Sequence, residues 1–191
     1  MTLRRIRRCA YAFSLALLVA SSAGATSVPS LTFEELTDHS ELIVSGQVTR
    51  SWADWDNEHK FIWTHYQLSV AGTHKGAPGS SVVLSEPGGV VGLQGMSVAG
   101  ANVYQPGDQV LLFLQRMPNG YLRTTGWSQG KYTVDKSGRL HAETALKSLD
   151  VVSVPKGSAA AVTPLRTLDG MTVADLHGRI AVRLQQQRNS K

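Results

Sequence analysis

The residues with the greatest chemical potential crowd into residues 52–63. Asp54, Asp56 and Glu58 place three carboxylates at alternating positions, beside Trp52, Trp55 and Trp63. Alternating carboxylates present oxygen ligands in the manner of a calcium loop, and the same three could serve a metal-assisted hydrolase. The run lacks the glycine at the sixth position and the distal bidentate glutamate of an EF-hand loop. A polar hairpin tip is therefore the simpler reading, with these acids as weak metal candidates only.

The six histidines are His39, His59, His65, His74, His141 and His177. None forms the i, i+4 pair with an intervening glutamate that a helical zinc protease site requires, and no zinc site is read from them. His59 and His65 could meet only if a hairpin register allowed it. Serines are frequent, but no Gly-X-Ser-X-Gly elbow marks a nucleophile. Gly88-Gly89-Val90-Val91-Gly92 has the glycine density of a phosphate cradle without a Gly-Lys-Ser/Thr ending or a following helix signal. No cofactor is implied. The aromatics Trp52, Trp55, Phe61, Trp63 and Tyr66 offer flat faces with polar tips, which recognition surfaces and sugar platforms use. Cross-strand packing would use the same rings for stability alone.

The elements that must position these groups are mostly strands. Residues 41–55 carry Leu42, Val44, Gly46, Val48 and Trp52 in near alternation. Residues 61–70 alternate again through Ile62, Thr64, Tyr66, Leu68 and Val70, so the two runs predict a long hairpin around a polar tip. A third strand is expected at 80–86, and the glycine-rich residues 87–96 read as an ordered loop. Residues 110–114, Val-Leu-Leu-Phe-Leu, are apolar at every position, as in a central strand buried on both faces. Short strands at 121–125, 130–135 and 139–143 would complete a meander. A capping box of Thr32 and Glu35 opens a helix at about 32–39, and Thr172 with Asp175 opens another at about 172–187. Between them, 151–170 shifts to Ser, Ala, Val, Pro and Thr and reads as a linker. The fold expected is mainly β: a small closed or partly open barrel of the oligonucleotide/oligosaccharide-binding (OB) type, or else a sandwich, with a helix at each end.

Arg4, Arg5, Arg7 and Arg8 precede an apolar run at 9–20 and the small residues Ala23-Gly24-Ala25. This is the order of a cleavable secretory leader at 1–25, and the apolar run is shorter than a membrane-spanning helix needs. The domains expected are the leader, a β domain at 26–150, the linker at 151–170 and a helix at 171–191. Without the leader arginines the chain carries 15 basic and 14 acidic side chains, a net of +1. The sequence pI of 9.6 is thus mostly a property of the leader and gives no support to a nucleic-acid surface. Cys9 is the only cysteine, so the processed chain has no disulfide or thiolate site and relies on its core. Residues 156–191 are net +4 and the β domain about −3, which a solvated helix face accounts for.

Ser40-Glu41-Leu42-Ile43-Val44-Ser45-Gly46-Gln47-Val48, followed by a strand from Tyr66 and by Lys75-Gly76, resembles the first strands of the netrin-like module. That barrel is found in tissue inhibitors of metalloproteinases. A second resemblance is to a group of exported bacterial proteins, some joined to or encoded with metalloprotease domains. The shared stretches are Glu86-Pro87-Gly88-Gly89-Val90-Val91-Gly92, Gly95-Met96, Gly107-Asp108-Gln109-Val110-Leu111-Leu112-Phe113-Leu114 and Gln129-Gly130-Lys131-Tyr132-Thr133-Val134. This resemblance spans roughly residues 31–135 and implies a fold and an export route, without a particular activity. The netrin-like inhibitors chelate a protease zinc through an N-terminal cysteine, which the processed chain lacks, so a shared fold does not carry that mechanism.

These readings predict an exported, non-enzymatic binding module in the periplasm or outside the cell. Its partner would be an exported protein or an envelope glycan. The candidate binding residues are Trp52, Trp55, Trp63, Gly88, Gly89, Gly92, Gln129 and Lys131. The alternatives are the metal-assisted hydrolase using Asp54, Asp56 and Glu58, and a protease-regulating module.

Overall fold

The computed structural model describes residues 29–142 and 168–190. The leader at 1–25 and residues 151–167 of the expected linker lie outside the described residues. The chain opens with helix α1 (Phe33–His39), started as its capping box predicts. The Glu35 amide donates to Thr32 Oγ1 at 3.1 Å and the Thr32 amide donates to Glu35 Oε2 at 2.7 Å, so two otherwise orphaned donors are satisfied reciprocally. Strands β1 (Leu42–Trp55) and β2 (Ile62–Lys75) make the long hairpin, and β3 (Ser81–Pro87) comes next. The glycine-rich segment is a separate small hairpin, β4 (Gly89–Val91) with β5 (Gln94–Met96), where the sequence suggested a loop. Gly92 sits in its tight turn at φ +61°, a conformation glycine adopts without steric cost. Then come β6 (Gln109–Arg116), β7 (Leu122–Thr124), a 3-10 turn at Trp127–Gly130, β8 (Lys131–Val134) and β9 (Leu140–Ala142). Helix α2 (Val173–Asn189) ends the described chain.

The main sheet is antiparallel, with strand order β3-β2-β1-β6-β8-β9, and β7 pairs the far end of β6. Its two faces bury separate cores. On one face Val44, Val48, Tyr66, Leu68, Leu84, Tyr104, Val110, Leu112 and Leu114 pack together. On the other, Ile43, Leu111, Phe113, Tyr132 and Leu140 meet Phe33 and Leu36 of α1 and Leu176 and Ile180 of α2. Every residue of 110–114 has no exposed surface, which is why the all-apolar run of β6 reads as it does: both of its faces are covered.

The final helix packs on the sheet. Besides its apolar face, Arg183 and Gln187 hydrogen-bond the Asp38 carboxylate at the end of α1, and the Arg183 hydrogen bond, aided by its Coulombic attraction, holds that carboxyl below its ordinary pKa. Leu168, at the end of the stretch read as linker, is fully buried in the same core. Among the described residues no helix is long and apolar enough to cross a membrane.

The sheet curls but its backbone ladder does not close. β3 and β7 come into contact, and a side chain joins them: the Thr124 amide donates to Glu86 Oε1 at 3.1 Å and Arg123 Nη2 to Glu86 Oε2 at 3.3 Å. The expectation of a mainly β fold with a helix at each end is met; a hydrogen-bonded barrel wall between β3 and β7 is not present among the described residues.

Candidate functional site: an aromatic and arginine band on the outer hairpin face

One extra residue decides which side chains the hairpin presents. Along β1 the register runs from Val48 opposite Leu68 to Arg50 opposite Gln67, so Thr49 is a bulge. A bulge shifts the in-and-out alternation by one position and re-aims the side chains beyond it. Before it, Val44 and Val48 point into the core with Leu68. After it, Ser51, Ala53 and Trp55 share the inner face with Tyr66, Thr64 and Ile62, while Arg50, Trp52 and Asp54 lie outward opposite Gln67, His65 and Trp63. The alternation that extends from Leu42 to Trp52 in the sequence therefore breaks. Trp52 and Trp63 share the outer face, and Trp55 is on the other side, stacked on His59 at 6.4 Å.

The outer face carries a continuous band of rings and cations, all of them partly exposed except Arg50, which is open to solvent. The Arg50 guanidinium lies 5.0 Å from the centre of Trp52, and Trp52 stacks on His65 at 5.3 Å. His65 meets the edge of Tyr121 at 5.5 Å, and Tyr121 packs T-shaped on Trp63 at 5.1 Å. Phe61 adds to Trp63 at 5.4 Å. Arg123 ends the band, 5.8 Å from Trp63 and 4.7 Å from Trp127. Each contact is of the offset, edge or cation–π kind that ring quadrupoles favour.

Local structure fixes the middle and one end of this band. His65 Nδ1 lies 2.8 Å from Ser85 Oγ on β3, and burial pushes the imidazole pKa down, partly offset by the Asp54 charge. Burial thus favours the neutral form of the ring. Trp127 has φ +60° directly after Gly126 at φ +63°. For a bulky residue that left-handed backbone is strained, and strain of this kind is held only where the surroundings over-determine it. Here it swings Trp127 out of the β7–β8 edge and onto Arg123. Behind the band, Glu86 is almost fully buried. Burial raises its pKa, while Thr124, Arg123 and the neighbouring Asn102 favour the charged form; the Asn102 Nδ2 nonetheless has no hydrogen-bond partner of normal geometry.

The other residues singled out by the sequence fall elsewhere. Gly88 and Gly89 let the β4–β5 hairpin lie against the inner face of β1 and β2. The Thr64 hydroxyl donates to the Gly88 carbonyl at 2.7 Å, and a Cβ on Gly89 would stand 2.4 Å from that hydroxyl oxygen. Gly92 is at the open tip, next to the fully exposed Leu93. Gln129 and Lys131 are buried. Gln129 Nε2 donates to the Pro29 carbonyl and its Oε1 accepts from the Leu31 amide, which clamps the chain entering α1. Lys131 Nζ donates to the Val103 carbonyl at 2.7 Å and lies over Tyr104. These hydrogen bonds run to residues outside the band.

The three acids do not converge. Asp56 Oδ1 accepts from the Lys60 amide at 2.8 Å, and that bond leads the influences lowering its pKa. Glu58 pairs with Lys60 in solvent at 2.7 Å, and Asp54 Oδ1 accepts from the next amide in the chain. Among the described residues no group of three or more His, Cys, Asp or Glu side chains could hold a metal ion.

Sequence reading missed Tyr121, Arg123 and Trp127, because they lie far along the chain from the hairpin and reach it only when the sheet curls. Their signals were the alternation of Tyr121 with Arg123 on β7 and a tryptophan directly after Gly126. In comparisons with protein-family models, curated proteins and solved structures, none matches this chain.

Proposed function

We propose that this chain is an exported, non-enzymatic binding module that recognises a protein partner through the outer band of Trp52, His65, Tyr121, Trp63, Arg123 and Trp127. The observation that carries the reading is the composition and accessibility of the band: Trp, Tyr and Arg, preassembled and partly exposed on a rigid sheet. These are the residue types that dominate binding energy at protein interfaces, since they bury large areas at low entropic cost. Many of the ring faces are already covered by a neighbouring ring or guanidinium. Edges and cationic tips are what remain, and these suit a protein or peptide surface better than the broad faces of a sugar ring. The arginine-rich start and apolar run at 1–20 support export.

A second reading, an envelope glycan, is favoured by the position of the band. We read the curled sheet as an OB-like, netrin-like barrel left open between β3 and β7; support comes from the strand order and from Glu86 bridging those two edges. In OB barrels the face of the second and third strands, with the neighbouring loops, binds oligosaccharides and oligonucleotides. Trp63, His65 and Ser85 occupy that face, and Tyr121 stands just before β7.

The test is capture from envelope and secreted fractions of the source by the wild-type protein, by Trp52→Ala and by Trp55→Ala. A protein that the wild type and Trp55→Ala retain and Trp52→Ala loses supports the first reading. Retention of insoluble envelope polysaccharide with the same dependence on Trp52 supports the second. Capture that ignores Trp52 removes the band as the site.

A further inference from the structure

Away from the band, on the far end of the hairpin, two histidines distant in sequence face each other. His74 on β2 and His177 on α2 approach with Nδ1 to Nδ1 at 3.1 Å and ring centres at 5.3 Å. His74 is a bulge residue, skipped in the register between Thr73 opposite Val44 and Lys75 opposite Ile43. It is thereby turned from the regular pleat, and its other nitrogen, Nε2, lies 3.0 Å from Ser45 Oγ on β1. His177 is exposed, so solvent reaches the pair directly.

We propose that His74 and His177 form a two-histidine chelate for a divalent transition-metal ion of the zinc, nickel and copper class, which fastens the C-terminal helix to the sheet. Two imidazole nitrogens each about 2.05 Å from one ion stand about 2.9 Å apart at a right angle and about 3.3 Å apart at the tetrahedral angle. The observed separation lies between these values and is also that of an N–H···N hydrogen bond, in which one Nδ1–H of the pair donates to the other Nδ1 before metal enters; the 5.3 Å between ring centres sets the rings nearly head-on, so the exposed His177 ring turns to aim its Nδ1 at the ion. Binding needs both Nδ1 lone pairs free, and therefore both neutral rings with their proton on Nε2. Ser45 supports that tautomer in His74, because its hydroxyl oxygen can accept from Nε2–H. A hydrogen-bonding partner on the non-ligating nitrogen is the usual way a protein orients a metal-binding imidazole. The tautomer shift releases no proton from the neutral pair, and water fills the remaining coordination positions. Imidazole donors without thiolates select this group of metals over calcium or magnesium.

The site is tested by calorimetric titration of untagged protein with zinc chloride, and by electron paramagnetic resonance after one equivalent of copper(II). The expected result is one-to-one zinc binding that raises the melting temperature, is reversed by chelator, and is lost in His177→Ala. The copper spectrum should carry the hyperfine signature of two nitrogen ligands. Ser45→Ala keeps both ligands and should weaken binding by about tenfold. His141→Ala removes a histidine paired with Asp135 instead and should change nothing. His177 is exposed, so its removal leaves the fold intact, which circular dichroism verifies. Zinc binding of equal strength in His177→Ala, or no binding by the wild type, overturns the proposal.

Discussion

The two ends of the β1–β2 hairpin are built from the same strand pair and do different work. At the end holding residues 42–48 and 68–75, β1 is paired on both edges, by β2 and β6. There one face enters the curled-sheet core, and on the other Ile43 packs against the helices. At the end holding residues 50–55 and 62–67, β1 has left β6. Its inner face lies under the β4–β5 hairpin, and its outer face carries the partly exposed band. The bulge at Thr49 separates the two. Covering a face selects aliphatic residues that fill space; leaving a supported face open permits the aromatics and cations that recognition uses.

The largest expected effect comes from breaking the covered end. Phe113 is fully buried opposite Ile43, and Phe113→Ala should cost about 3–5 kcal/mol of stability in urea unfolding. A loss below about 1 kcal/mol would mean that the helix-side core is less tightly packed than its burial indicates. Next is the bridge that supports the open end from behind. Glu86→Ala leaves the Arg123 guanidinium, only 12% exposed, without its acid, and should cost about 3 kcal/mol. It should also loosen the band, which fluorescence of Trp63 and Trp127 would report.

Trp52→Ala should be milder, at about 1 kcal/mol, since it removes a partly exposed ring stacked on His65, yet it should remove partner capture. A large loss of stability with capture intact would reverse the contrast between the two ends. The smallest effect is on pH dependence. His65 and His74, one at each end, both have pKa values lowered chiefly by burial. The stability each contributes is present above the ordinary histidine value and is lost as pH falls through the lowered folded value. Glu86 acts oppositely: its raised pKa gives stability below the ordinary glutamate value that is lost as pH rises through the folded value. The histidine contribution to the urea midpoint should therefore fall as pH drops below the ordinary histidine value, against the opposite trend from Glu86, and His65→Gln and His74→Gln should each lose part of that fall relative to the wild type.

Much of the scaffold was legible in the amino-acid order, because local rules governed it. Thr32 with Glu35 announces α1, Thr172 with Asp175 announces α2, and the unbroken apolar run of β6 announces a strand covered twice. Pattern also gave the long hairpin and the meander at 122–142. Less of the site was legible. The sequence grouped Trp55 with Trp52 and Trp63 and could not tell that Gln129 and Lys131 are buried fasteners, since burial of a polar side chain depends on partners distant along the chain.

Alternation and capping are properties of neighbours in sequence, so the positions of both helices and of every strand but β4 and β5, the doubly buried β6 and the richness of the hairpin in aromatics were determined by the sequence alone. Tertiary structure decided the rest. A one-residue bulge at Thr49 chose which tryptophans face outward, the curl of the sheet brought Tyr121, Arg123 and Trp127 to Trp63, and the docking of α2 set His177 against His74. Each of these depends on contacts between residues far apart in the chain, whose geometry exists only once the sheet has twisted and the helix has packed.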